Sequence, residues 1–284
     1  MKLYSIDTEL FKLDGGAMFG VVPKTLWNKL LPADDNNLCT LAMRLLLIED
    51  EGRLILIDTG IGNKQDEKFF SHYYLDKENT LDKSLSKYGF SKDDITDVFL
   101  THLHFDHVGG AVDLVDDKLI PAFKNATYWS NETHCKWATQ PNAREKASFL
   151  KENILPLQES GKLQFLRVPY HNEELLSFTK NISIRFSYGH TKAMMLPQIN
   201  YKTKTIVYMA DLIPTAAHFS LPYIASYDVF PLDSMTEKES FLNEALGNNY
   251  ILFFEHDATV ECCTIQKNEK NKIVIKEQFS VSDI

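Results

Sequence analysis

Apolar residues fall along this chain in short runs. Positions 41–48 read LAMRLLLI and 53–57 read RLILI, and the acidic stretch ending in Gly52 lies between them. An acidic break closed by glycine between two apolar runs signals a β-hairpin. Further buried strands are expected over 97–101, 163–168, 182–186, 205–209 and 250–254. Helices are expected over 64–71, 80–87, 131–139, 143–152 and 236–245. The last has the look of a capping box, with Ser234 or Thr236 ahead of Glu237 and Glu239. Strand runs lead and helices follow, which suits sheets covered by helices in an α/β or α+β layered domain. There is no internal repeat, low-complexity tract or Gly/Ser-rich linker, so one domain spanning 1–284 is expected.

Composition narrows the class. Apolar residues are 44% and charged residues 24% of 284, ordinary for a soluble globular protein. The chain can bury a substantial core without disulfides. Thirty basic residues against 39 acidic ones leave a formal charge of −9. That excludes a protein whose task is coating nucleic acid, which needs a basic face. No apolar run approaches the roughly 18 residues of a membrane helix. The opening MKLYSIDTEL has no apolar core of a secretory signal. Cys39, Cys135, Cys262 and Cys263 show no metal-ligand spacing. Few, scattered thiols suit a reducing compartment, so the cytoplasm is the expected location and packing their expected role.

The chemistry concentrates at Thr101-His102-Leu103-His104-Phe105-Asp106-His107-Val108-Gly109-Gly110. His102 and His104 are two apart, so at a strand end their side chains point the same way and can share a metal. Asp106 and His107 follow in the loop and can face a second. Neutral imidazole and carboxylate are what a borderline ion such as zinc accepts. Gly109 and Gly110 are expected to let the backbone turn tightly. The bland alternative is a polar strand-to-helix loop, but packing so many imidazoles together brings no folding benefit.

This segment resembles the His-x-His-x-Asp-His signature of the metallo-β-lactamase superfamily. Four further segments follow in that family's order: the strand ending Asp58-Thr59-Gly60, Gly189-His190-Thr191, the strand ending Ala210-Asp211, and Phe254-Glu255-His256. The resemblance implies an αββα sandwich and two zinc ions per chain. His102, His104 and His190 would hold the first metal, and Asp106, His107 and His256 the second. Asp211 would bridge them, and Asp58 would orient the ligand loops. A hydroxide held between the metals would be the nucleophile. Of the other histidines, His72, His134 and His171 are expected as surface or packing residues, whereas His218 is a candidate for lining the pocket.

The branch is narrower still. Positions 14–23 (DGGAMFGVVP) resemble the opening of quorum-quenching N-acyl-homoserine lactonases and the methyl parathion hydrolase group. Asp211-Leu212-Ile213-Pro214, Pro222-Tyr223 and Tyr227-Asp228 look like the same branch. Phe19, Trp27, Phe219 and Tyr223 are expected either as apolar walls for a substrate or as core. Two departures stand out. Some lactonases carry a Tyr three residues after the bridging Asp, where this chain has Pro214, so Tyr223 or Tyr227 is the candidate to contact a carbonyl oxygen. The frequent Gly-His-Thr-Pro-Gly-His is here Gly189-His190-Thr191-Lys192-Ala193-Met194. The expectation is a dinuclear zinc hydrolase opening a lactone or cleaving a related ester. Tyr223 would steady the oxyanion and Asp106 would help protonate the leaving group. A phosphotriesterase, arylesterase or thioesterase on the same scaffold is the alternative, and a catalytically silent metal-binding protein a more distant one. The expected partner is a small-molecule substrate, not nucleic acid or membrane. By analogy with related lactonases, a homodimer is possible.

Overall fold

The computed structural model describes residues 1–76, 78–169 and 175–284. The chain divides into two compact units, one made of Met1–Phe11 and Met43–Val168, the other of Lys12–Ala42 and Pro169–Ile284.

The first unit is built on a six-stranded sheet in the order Lys2–Asp7, Arg44–Asp50, Arg53–Ile57, Asp97–Phe99, Thr127–Asn131, Leu163–Leu166. The first three strands are antiparallel and the rest run parallel. The expected hairpin forms. Asp50 pairs with Arg53 across Glu51 and Gly52, whose φ angles of 48° and 79° make the two-residue turn that matches strand twist. Leu45, Leu46, Leu47 and Ile48 are all 0% exposed, so this strand is buried on both faces and shows no alternation. Leu45, Leu47, Leu56 and Val98 share a core with Leu81 and Leu85 of the helix Leu81–Lys87 and with Ile154 and Leu157 of Lys151–Glu159.

The second unit carries a seven-stranded sheet in the order Leu176–Ser177, Ile182–Ser187, Met194–Tyr201, Lys204–Tyr208, Ile251–Phe253, Cys262–Lys267, Ile273–Phe279. Only Lys204–Tyr208 and Ile251–Phe253 are parallel neighbours. A parallel pair needs a long crossover, and this one contains the helix Pro231–Asn248. Pro231 sits in its first turn, where a missing N–H costs nothing, and Asn249 ends it in the left-handed region at φ 53°. Its buried positions 234, 238, 241, 242 and 245 form one stripe.

Both units are sheets with their own helices, so the layered α/β class stands. Three local expectations do not. The run 41–48 is two strands, Leu38–Leu41 pairing with Phe11–Asp14 and Arg44–Asp50 entering the large sheet. The strand Met194–Tyr201 was not anticipated; it holds Pro197, which argues against a central strand, yet pairs with Ile184 through its neighbours. No helix forms over 143–148, which is turn, and the helix begins at Lys151. There the Glu145 carboxylate accepts from Trp137 and Asn142, and the Ser148 carbonyl accepts from Phe105 N–H, so tertiary bonds replace helical ones. Among the described residues, no helix is long and apolar enough to cross a membrane.

Candidate metal centre

In the first unit, Arg53–Ile57 and Asp97–Phe99 run parallel side by side, so their carboxyl ends emerge together. Asp58 leaves one strand and the 101–107 motif leaves the other. Asp58 is 0% exposed and accepts from Thr101 N–H at 2.8 Å and Thr101 Oγ1 at 2.6 Å. Its Oδ2 also lies 3.1 Å from His107 Nδ1. The Thr101 hydroxyl hydrogen is committed to Asp58, so its oxygen accepts from His102 Nδ1–H at 3.1 Å. These partners assign the tautomers: His102 and His107 carry their protons on Nδ1 and keep a lone pair on Nε2. Asp58 holds this position at φ 58°, a conformation non-glycine residues adopt only when the surroundings enforce it.

The lone pairs converge. His102 Nε2 lies 3.0 Å from His104 Nδ1, and the His102 and His107 ring centroids are 3.9 Å apart. Asp106 Oδ2 is 3.9 Å from His107 Nε2. Two imidazoles whose nitrogens meet at 3.0 Å, with a third imidazole and a carboxylate beside them, make a donor set that fits a borderline divalent ion.

The glycines after the motif do a different job from the expected one. Gly109 has an ordinary helical φ of −57°. What it lacks is a side chain: a Cβ there would stand 2.0 Å from the Ile61 carbonyl oxygen, and one on Gly110 would stand 2.2 Å from that of Thr59. The segment that follows Asp58 and the one that follows His107 run backbone against backbone. Thr59 N–H and Oγ1 both donate to the His107 carbonyl at 2.8 Å, and Gly110 N–H donates to Gly60 at 2.9 Å.

The second unit brings three ligand candidates to the ends of its central strands. His190 follows Ile182–Ser187, Asp211 follows Lys204–Tyr208 and His256 follows Ile251–Phe253. Asp211 presents one oxygen to each imidazole: Oδ2 lies 3.0 Å from His190 Nε2, and Oδ1 lies 3.0 Å from His256 Nε2. The far nitrogens are tied down. His190 Nδ1 lies 2.9 Å from Asp228 Oδ1, and His256 Nδ1 donates to the Ala42 carbonyl at 2.8 Å. Burial works against charge on His190, but Asp211 and Asp228 outweigh it and push its pKa up to about 10. In the absence of a metal the pair therefore holds a proton, which a metal on Nε2 must displace. Ala210, just before Asp211, sits at φ 40°. Gly189 is needed for close approach, since a Cβ there would meet the Ser234 backbone nitrogen at 2.2 Å. Glu237 accepts from Tyr188 and Gly189 N–H, fixing the His190 loop to the start of the long helix.

The sequence profile described as the metallo-beta-lactamase superfamily matches residues 45–256. The chain belongs to the metallo-β-lactamase superfamily. Among curated proteins no sequence match was found. Among solved structures, a probable metal-dependent hydrolase from Staphylococcus aureus is similar at 29% identity, over 98% of both chains, with a TM-score of 0.86. AidC, a dizinc quorum-quenching lactonase solved with its product N-hexnoyl-L-homoserine, shares the fold at 23% identity, over 98% of this chain and 94% of that one, at a TM-score of 0.78. AiiA of B. thuringiensis, solved as a mutant with N-decanoyl-L-homoserine at its active site, shares it at 20% identity, over 90% and 93%, at 0.65.

In this metallo-β-lactamase superfamily member the remaining expected residues are placed as follows. Phe19 is 0% and Trp27 1% exposed, and their rings stack 5.1 Å apart, so both are core. His218 stacks on the other face of that cluster, 4.5 Å from Phe19, with Nε2 donating to the Met18 carbonyl and Nδ1 facing Thr215 Oγ1. Burial pushes its pKa down to about 4. Tyr223 is half-buried, its ring edge-on to Phe19 at 6.0 Å, and it lines a groove of about 500 Å³ with Phe219, Pro222 and Leu242. His72 is exposed at a helix end, while His134 is 0% exposed and accepts from Leu103 N–H. His171 lies outside the described residues. Sequence reasoning missed Asp228, Glu145 and Lys238. The Tyr227-Asp228 pair was visible as a branch-like feature, but nothing local showed that its carboxylate would meet His190. Lys238 is 0% exposed and donates to the carbonyls of His218, Ser220 and Tyr223 at 2.9–3.0 Å.

Proposed function

We propose that this protein is a dinuclear zinc hydrolase that opens a lactone, N-acyl-homoserine lactones foremost, or cleaves a related ester. The observation that carries this is the Asp211 carboxylate, with one oxygen on the His190 imidazole and the other on that of His256, each at 3.0 Å. A carboxylate so shared is built to serve two cations. As the family resemblance implies, His102, His104 and His190 would hold one ion, Asp106, His107 and His256 would hold the other, and Asp211 would serve both. Bound there, zinc supplies Lewis acidity toward the carbonyl oxygen and a water acidic enough to attack near neutral pH.

The chain's own residues do the rest. Asp58, Thr101, Asp228 and the Ala42 carbonyl hold four imidazoles in the tautomer that leaves the correct lone pair free. Asp106, 8% exposed, is the acid–base group that returns a proton to the leaving alkoxide. Tyr223 donates a hydrogen bond to the carbonyl oxygen as it becomes anionic, the role that Pro214 cannot fill. AidC, described as a lactonase and solved with its product, and AiiA, solved with N-decanoyl-L-homoserine at its active site, support the substrate class. The formal charge of −9 supports a small-molecule substrate over nucleic acid. The cytoplasm and a homodimer belong to the same reading.

The test is zinc content per chain by elemental analysis, paired with a homoserine lactone panel and an aryl ester. Two equivalents with lactone turnover support the reading. Two equivalents with only ester or phosphotriester turnover move it to another branch, and no metal after reconstitution ends it.

A further inference from the structure

The His102–His104 pair is gripped from behind by residues 131–149, a stretch that supplies none of the ligands. His134, 0% exposed, accepts the N–H of Leu103 at 2.9 Å, the peptide between the two histidines. Phe105 N–H donates to the Ser148 carbonyl at 2.9 Å. The Phe149 ring lies 4.7 Å from that of His104. Glu145 is 2% exposed, and its Oε1 stands 3.7 Å from His104 Nε2. Its other oxygen is anchored by Trp137 Nε1 at 2.6 Å and Asn142 Nδ2 at 2.7 Å.

A carboxylate in so dry a place is costly unless a positive or proton-bearing partner faces it. Trp137 and Asn142 serve one of its oxygens, and His104 faces the other. The Nδ1 of His104 points at His102 Nε2, so for Nδ1 to offer a lone pair its proton must sit on Nε2, the side that faces Glu145. At 3.7 Å the contact is electrostatic rather than a closed hydrogen bond.

We infer that Glu145 is a positioning residue of the centre: it selects the Nε2–H tautomer of His104 and so turns the Nδ1 lone pair outward, while His134 fixes the Leu103 peptide between the two imidazoles. The inference rests on the proposed ligand set and extends it to a carboxylate outside every motif of the sequence.

The deciding substitution is Glu145→Gln. The amide oxygen can still accept from Trp137 and Asn142, but its NH₂ then faces His104 Nε2, a donor against a donor, and favours the opposite tautomer. In the zinc-loaded protein, where Nδ1 is taken by the metal, the His104 Nε2–H proton is expected to lose in the variant the downfield shift that the facing carboxylate gives it. Zinc affinity for one of the two equivalents, read by chelator competition, is expected to fall roughly 10- to 100-fold. The Co²⁺-substituted protein should show a shifted absorption band, and Glu145→Asp should recover part of the affinity. Trp137→Phe, which removes one anchor of Glu145 and no charge, should give a smaller loss in the same direction; it decides the matter if Glu145→Gln does not fold. A wild-type His104 Nε2–H shift and wild-type zinc affinity in the folded Glu145→Gln variant, or in Trp137→Phe in its stead, overturn the inference. A wild-type chain that takes up no zinc is a separate result, read on the unmutated protein, and it overturns the proposed function.

Discussion

Replacing Gly109 with alanine isolates the close approach of two backbones from every other property of the ligand loop. The φ of −57° suits alanine, so no conformational strain is introduced. In open space the change would stabilise the fold by roughly 0.4–1 kcal/mol, through lost freedom of the unfolded chain. Here the new Cβ would stand 2.0 Å from Ile61 O, 2.4 Å from its carbonyl carbon and 2.8 Å from its Cα. All three are backbone atoms, so no side chain can swing aside, and the segments must part by on the order of 1 Å. Overpacking of this kind costs about 1–3 kcal/mol. The three bonds that tie Thr59 to His107 and Gly110 to Gly60 lie at the same seam and contribute about 1 kcal/mol each, so part of that is lost too. A net loss of about 3–5 kcal/mol is expected, a large share of the roughly 5–15 kcal/mol that keeps domains folded. A shift of about 1 Å at His107 should also lower kcat about a hundredfold. The assay is urea unfolding of chelator-treated protein, where the midpoint should fall by more than about 1 M, together with zinc content. Gly247→Ala is the matched control. It lies in the helix Pro231–Asn248 with nothing within 4 Å of its Cβ, and it should raise stability by up to about 1 kcal/mol. A Gly109→Ala protein with the wild-type midpoint and undiminished zinc would refute the argument that this seam is rigid.

Asp211→Asn can offer an oxygen to only one of its two imidazoles, so zinc content should drop from two equivalents toward one and turnover by at least about a hundredfold; unchanged content by elemental analysis would contradict a bridging role. His218 has its pKa depressed to about 4 by burial, against 6.5 in the unfolded chain. The unfolded state therefore binds the extra proton first as pH falls, and stability present above pH 6.5 is lost between about 6.5 and 4. His218→Gln should flatten that part of the pH dependence of the urea midpoint, by on the order of 3 kcal/mol across the window, and an identical pH profile would count against it. Burial pushes the Cys39 and Cys135 thiols up to about 11 and Cys263 to about 12. All four cysteines are at most 2% exposed. A thiol reagent at pH 8 should find almost none in the native protein and four after denaturation; rapid native labelling would show that these strands open readily.

The ligand motif was legible because its chemistry is local. His102 and His104 share a face through strand alternation, and Asp106 and His107 follow within one turn, so spacing alone points to a metal. The hairpin at Glu51-Gly52 was legible for the same reason, since its two positive φ angles are a property of the turn. What the sequence could not carry was which distant groups would stand behind each imidazole. Asp228 reaches His190 across 38 positions and Glu145 faces His104 across 41. An isolated Asp or Glu reads as surface until the fold removes its water. The same holds for Lys238, whose buried ammonium serves three carbonyls that no pattern groups together. Residues 143–148 were misread as helix because local propensity is weaker than the bonds that Glu145 and Ser148 make elsewhere in the fold. Gly109 and Gly110 were rightly singled out, but for the wrong reason: a sequence shows that a side chain is missing, and only the packed structure shows the carbonyl that would have struck it. The sequence thus determined which donors are candidates for a metal, because donor type and short spacing are written in it. The tertiary structure decided their tautomers, their charge and their rigidity, because those depend on contacts between residues far apart along the chain.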